Sequence, residues 1–163
     1  LALALFTKSS VGPLPVTLAS AVDNMKVKHS VSSFVLPICT TLHMNGCAAF
    51  ILTTSLFLMQ NAGFHLSIGT MLVWVVIAVI SAIGNAGVPM GCYFLTLSLM
   101  SSIGAPLGLM GVILPIYTII DIIETAENVW SDSAVCAMTN HDLKDVLEND
   151  DRHVSGDAAS VNA

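Results

Sequence analysis

The chain has 163 residues, 55% of them apolar and only 10% charged, with a mean hydropathy of +0.82 and a formal net charge of −6. A soluble domain carries about 25% charged residues and a nucleic-acid binder needs a basic stripe, yet only five Lys and Arg occur here and none lies between His29 and Leu143. Cys39, Cys47, Cys92 and Cys136 are too few and too apolar in setting for a secreted disulfide scaffold, which leaves an integral membrane protein.

The first tract, residues 1–10, starts without Met inside an apolar run too short to span. It lacks the basic n-region and small-residue cleavage site of a signal peptide, so the sequence reads as the C-terminal piece of something longer. Val11-Gly12-Pro13 separates it from a second short tract, 14–23. A full span needs about 20 apolar residues, and residues 30–61, which hold no Asp, Glu, Lys or Arg, reach that length. This tract is broken at Leu42-His43-Met44-Asn45-Gly46, where unwinding would free carbonyls to hold a cation; a polar kink between packed helices is the plainer reading. Residues 67–83 and 89–103 are again short and are joined by Gly84-Asn85-Ala86-Gly87-Val88-Pro89. Residues 107–140 can cross, and from His141 the chain turns polar and acidic.

The order is therefore short pair, long helix, short pair, long helix. Turns at membrane depth survive only where protein or a wet cavity pairs their backbone. Gly/Pro-interrupted short segments at matching places in two halves point to a transporter site at the midplane. The expected fold is an all-α integral membrane protein, an inverted-repeat transport core of two re-entrant helical hairpins (1–23 and 67–103) alternating with two transmembrane helices (30–61, broken, and 107–140). Residues 1–140 would be the C-terminal part of a transport domain, and 141–163 a disordered acidic tail. Lys26 and Lys28 mark the linker 24–29 as cytoplasmic, whereas 61–66 and 104–106 have no Lys or Arg. The tail is then cytoplasmic and the protein a multi-pass resident of the cell (inner or plasma) membrane.

Six of the 11 acids lie in the tail from Asp142 to Asp157, and four more between Asp121 and Asp132. At about 100° per residue, Asp121, Glu124, Thr125, Asn128 and Asp132 share one face of the last helix, with Glu127 at its edge. An ionisable group at the bilayer centre costs about 2.5–3.5 kcal/mol, so this face must meet protein, water or ions. Solvation at a protruding helix end suits Asp132 but not Asp121. Two other chemistries are less well supported by the residues. Cys39, His43 and Cys47 recur at i, i+4, i+8 beside Met44, a set suited to Cu(I) or Zn²⁺, but Asn45-Gly46 argues against one continuous helix. An intramembrane hydrolase would need a His partnered with a serine, which the hairpin tip lacks, so no enzyme is expected.

Four motifs, in order over nearly all of residues 1–140, resemble the dicarboxylate/amino acid:cation symporters, the glutamate-transporter family. Lys8-Ser9-Ser10-Val11-Gly12-Pro13-Leu14-Pro15-Val16-Thr17 is similar to the serine-rich tip of the first hairpin. Leu42-His43-Met44-Asn45-Gly46-Cys47 resembles the break in the seventh helix, and residues 82–89 resemble the tip of the second hairpin, an outer gate. Asp121 through Asp132, written Asp-x-x-Glu-Thr-x-x-Asn-x-x-x-Asp, resembles the substrate and sodium face of the eighth helix.

The resemblance implies roles. Asp121 would hold a substrate ammonium, and Asn128, Ser9, Ser10 and the hairpin backbone the α-carboxylate, with Val88, Glu124 and Thr125 also at the substrate. Asp132 would ligate one Na⁺ with carbonyls near Asn128, His43 and Asn45. A second Na⁺ would sit under carbonyls of Ala82, Ile83 and Asn85 near Thr41. Na⁺ is then the coupling ion, with no organic cofactor. The implied partners are a small amino acid, the lipid bilayer and preceding scaffold helices within a homotrimer, and no nucleic acid.

Departures from the family pattern sharpen the expectation. Glu124 stands where acidic-substrate members carry Arg, and the Glu-Thr-Ala run resembles serine/threonine members, so the expected cargo is a neutral amino acid. A cationic one is the other possibility. A dicarboxylate or acidic amino acid symporter, or a truncated non-transporting remnant, are the alternatives. Asn45 replaces the family Asp of the seventh-helix motif and His43 its Asn, which implies fewer coupled Na⁺. Val11, Met90 and Cys92 alter the tips. Lys8 would pair with Glu124 or Glu127, or snorkel to the cytoplasmic face.

Overall fold

The computed structural model describes residues 2–9, 11–85, 88–144 and 146. Among them are seven α-helices and no strand: α1 (Ala2–Thr7), α2 (Leu14–Asp23), α3 (His29–Leu42), α4 (Asn45–Asn61), α5 (Ile68–Gly84), α6 (Gly91–Ser102) and α7 (Gly108–Asp142). Local chemistry sets most of the boundaries. Pro15 sits in the first turn of α2, where its missing N–H costs nothing. Ser67 caps α5 by accepting the Thr70 N–H at 3.1 Å. Gly63 (φ 81°) and Gly104 (φ 70°) take the left-handed conformation that ends α4 and α6. There Phe64 N–H returns to Met59 O and Ala105 N–H to Met100 O, both at 3.0 Å.

The two longest apolar helical stretches are His29–Asn61, which is α3 and α4 in tandem, and Gly108–Asp142. Both are long and apolar enough to cross a membrane. α7 packs along α1, α2, α3, α4 and α6 and so forms the spine of the molecule. Two apolar clusters flank it. The larger joins Phe50, Ile51 and Leu58 of α4 to Trp74 and Ala78 of α5, Tyr93 and Met100 of α6, and Met110 and Tyr117 of α7. The smaller joins Ala21, Val27, Val31, Leu36 and Cys136. Between the clusters the spine is polar. Asp121, Glu124, Thr125, Asn128, Ser131 and Asp132 are all buried, as a single stripe at helical spacing. The linker before α3 is tied to the far end of α7, where Lys28 N–H donates to Asn140 Oδ1 at 2.9 Å.

Candidate functional site

Between α3 and α4 the backbone leaves helical geometry at His43 (φ −92°, ψ 73°) and Met44 (φ −109°, ψ 57°). Such a break strips backbone groups of their helical partners, and the polar stripe of α7 docks against it. Gly46 N–H donates to Asn128 Oδ1 at 3.0 Å, and Asn45 Nδ2 donates to Glu127 Oε1 at 2.6 Å. Ser131 Oγ donates to Asn45 Oδ1 at 3.2 Å, and His43 Nδ1 lies 3.0 Å from Asp132 Oδ1. The approach is close enough to require glycine. A Cβ on Gly46 would stand 2.9 Å from Glu124 Cγ, 3.0 Å from Glu127 Oε2 and 3.3 Å from the Glu124 carbonyl.

A second cluster lies toward the start of the stripe. Lys8, Ser9, Asn85, Val88, Cys92, Asp121, Glu124 and Thr125 surround a cavity of about 10 Å³, room for one water. Here the turn after α1, the turn between α5 and α6, and α7 converge. Tyr117 Oη donates to Asp121 Oδ1 at 3.3 Å, and the Lys8 ammonium donates to the Thr118 carbonyl at 3.1 Å. Lys8 therefore enters the cavity beside the two acids, but no ion pair joins it to Glu124 or Glu127 among the described residues.

Four carboxyl oxygens in these clusters are buried without a hydrogen-bond partner: Asp121 Oδ2, Glu124 Oε2, Glu127 Oε2 and Asp132 Oδ2. Asp121, Glu124 and Asp132 are 4%, 7% and 1% exposed, so solvent does not satisfy them. Buried carboxyls are normally paired, and an uncompensated one is strongly destabilising. The stripe of α7 therefore carries buried negative charge with no counter-charge bonded to these four oxygens.

A disulfide joins Cys47, in the first turn of α4, to Cys92, in the first turn of α6. It borders the cavity. Asn85 Nδ2 points at both sulfurs, at 3.5 and 3.3 Å, and Cys92 Sγ lies 2.7 Å from Glu124 Oε1. Asn85 itself covers Gly91 so closely that a Cβ there would occupy the space of its amide.

Of the residues singled out from the sequence, Ser9, Asn85, Val88, Asp121, Glu124 and Thr125 line the cavity, and His43, Asn45, Asn128 and Asp132 meet at the break. Thr41, Ala82 and Ile83 join neither group. The Thr41 hydroxyl turns back to Ile38 O at 2.9 Å, while the Ala82 and Ile83 carbonyls accept the N–H of Asn85. Ser10 lies outside the described residues. Tyr117 and Ser131 complete the site and were missed, although both sit at helical spacing from Asp121 and Asn128. The pairing of Cys47 with Cys92 had no local signal, because 45 residues separate them.

Residues 1–142 match the model of the sodium:dicarboxylate symporter family. The chain is 32% identical over 149 residues to an excitatory amino acid transporter of Caenorhabditis elegans, covering 91% of the chain and 30% of that relative. It is 31% identical over 146 residues to one of Onchocerca volvulus, covering 90% of the chain and 30% of the relative. Excitatory amino acid transporter 1 of Homo sapiens is 30% identical over 148 residues, covering 91% of the chain and 27% of the relative. The chain thus spans less than a third of the length of the curated relatives it matches.

Proposed function

Because the chain belongs to the sodium:dicarboxylate symporter family, we propose that it forms the C-terminal part of a secondary transporter's core, symporting an amino acid with Na⁺. The observation that carries this reading is the buried stripe of α7. Three acids there each keep one carboxyl oxygen unpartnered against a helix break and two interrupted helix pairs. Unpartnered carboxyls beside interrupted helices are what a transporter's cation and substrate site requires, and the family match supports transport over catalysis.

Asp121 Oδ2 faces the substrate ammonium, and Ser9 and Asn128 take its α-carboxylate. Asn128 is already oriented by the Gly46 N–H. The site fits a hard cation at Asp132, whose Oδ2 is buried without a partner and whose Oδ1 meets His43 at the helix break. Asp132 would hold Na⁺ with Asn128, His43 and Asn45; a second, under carbonyls of Ala82, Ile83 and Asn85 near Thr41, would require the Ala82 and Ile83 carbonyls to release the Asn85 N–H they now accept. A cavity of about 10 Å³ admits no amino acid, so Asn85, Val88 and Cys92 must move away from Asp121 and Glu124 for substrate to enter. In this reading α1–α2 and α5–α6 are re-entrant hairpins, α5–α6 is the gate, and the tail is cytoplasmic. The core moves against scaffold helices in a homotrimer of the plasma or inner membrane.

Glu124 favours a neutral amino acid, because the cavity offers two carboxyls against one ammonium, and a second substrate carboxylate would be repelled. The second reading, an acidic substrate, is favoured by the relatives, which are named for excitatory amino acids. Uptake of a labelled amino-acid panel by the full-length protein separates them. Serine or threonine uptake driven by Na⁺ is expected, and robust aspartate uptake without it overturns the Glu124 assignment. Uptake of nothing favours a non-transporting remnant. Asp132→Ala should abolish the Na⁺ dependence of uptake, and an unchanged Na⁺ affinity would remove Asp132 from the cation site.

A further inference from the structure

We propose that Cys39, His43 and Asp132 form a binding site for a thiophilic divalent cation, Zn²⁺ in the first instance. Nδ1 of His43, Sγ of Cys39 and a carboxyl oxygen of Asp132 all lie within 4.8 Å of one another. The break creates this set. His43 closes the last turn of α3, its N–H bonded to Cys39 O at 2.8 Å, so the thiol and the imidazole share one helical face. One residue later the helix ends, and Cys47 is carried away to its disulfide with Cys92. Asp132 of α7 takes the third place, with Oδ1 3.0 Å from His43 Nδ1.

Two further observations point to a ligand. Asp132 Oδ2 is buried and unpartnered in a residue that is 1% exposed. Cys39 is a free, buried thiol, whereas His43 keeps a third of its side chain accessible and offers a path of entry.

The donor chemistry is selective. Sulfur and imidazole suit Zn²⁺, and alkali cations gain little from either. A thiolate and a carboxylate supply two negative charges, which a divalent ion neutralises within the protein. The thiol releases its proton to water as the metal binds. Donors on one tetrahedral zinc, with bonds of about 2.0–2.3 Å, stand roughly 3.5 Å apart. The His43–Asp132 pair is near that spacing already, and Cys39 lies within 4.8 Å of both, with water as fourth ligand. Cys47, Cys92 and Glu124 also converge, but their disulfide occupies both sulfurs. The proposal goes beyond Na⁺ coupling and does not rest on it, but it shares His43 and Asp132 with the Na⁺ position proposed above, so Zn²⁺ bound here displaces Na⁺ from Asp132.

The test uses the full-length protein in detergent, with Co²⁺ as a spectroscopic probe and Zn²⁺ as competitor. Expected is one Co²⁺ per chain at this site, with a thiolate-to-cobalt charge-transfer band that Zn²⁺ displaces. Cys39→Ser abolishes the band, while Cys136→Ser and the Cys47→Ser/Cys92→Ser pair retain it. Changes outside the ligand shell alone commonly cost about 10–100-fold in metal affinity, so His43→Asn should weaken Zn²⁺ at least as much. Zn²⁺ should raise the melting temperature of the parent but not of Cys39→Ser, with helix content by circular dichroism confirming that each variant folds. Absence of the band in the parent, its survival in folded Cys39→Ser, or its loss only in the Cys47/Cys92 pair overturns the site. Intact Na⁺-driven uptake beside any of these results leaves the transport reading standing.

Discussion

Gly46 sits where the start of α4 comes close against α7. Two of the atoms a Cβ would meet there belong to side chains that can yield, but the third is the Glu124 carbonyl at 3.3 Å, fixed in the backbone of α7. Gly46→Ala should therefore lift the break from the stripe and stretch the Gly46 N–H bond to Asn128. The expected cost is about 1–3 kcal/mol, read as a lower melting temperature in detergent together with lost uptake. Gly111→Ala, where a Cβ meets nothing within 4 Å, is the matched control and should lower neither. At this scale the sequence was most legible where spacing alone decides. Periodicity of 3.6 places Asp121, Glu124, Thr125, Asn128 and Asp132 on one face, and their burial follows because lipid cannot solvate them. It could not say that Asn85 turns to the sulfurs of Cys47 and Cys92, or that Lys8 ends on the Thr118 carbonyl, because those partners arrive from remote segments.

The start of α4 and the start of α6 are held together by the Cys47–Cys92 disulfide, across 45 residues of chain. Closing a loop of that length in the unfolded chain is worth about 4 kcal/mol on the chain-entropy estimate, a large share of a typical domain's stability. Non-reducing peptide mapping should recover the two cysteines in one linked pair. Reduction, or the Cys47→Ser/Cys92→Ser variant, should lower the melting temperature and speed amide exchange in the first turn of α6. Unchanged exchange there would mean that packing of Tyr93 and Met100 into the larger cluster, not the bond, holds α6 in place. Elements were legible for a related reason. Apolar runs bounded by Gly, Pro and Asn show where helices stop, and Ser67, Gly63 and Gly104 act within their own turns. Which helix lies against which is set by complementary faces far apart in sequence, and a lone cysteine in an apolar run carries no sign of its partner.

Among the described residues, a buried polar stripe runs between two apolar clusters, and the outer surface is also strongly apolar. Three acids are buried in α7, while Ile68, Leu72, Val73, Val76 and Ile80 of α5 and Ile116, Ile119 and Ile123 of α7 are each more than half exposed. An exposed apolar surface of this extent would drive a protein out of water, and a hydrocarbon surrounding removes that penalty. Val76, 58% exposed near the middle of α5, is where the two surroundings differ most. A nitroxide attached at Val76→Cys in proteoliposomes should collide with oxygen far more than with a water-soluble nickel chelate. Val76→Asp should cost about 2.5–3.5 kcal/mol of insertion free energy, seen as a loss of membrane-integrated protein, while Val76→Leu should be neutral. If the nitroxide instead meets neither reagent, this face of α5 is covered by protein and belongs to the seam between core and scaffold. Access to the nickel chelate would place α5 against water, and the reading of α5–α6 as a membrane-buried hairpin would fall.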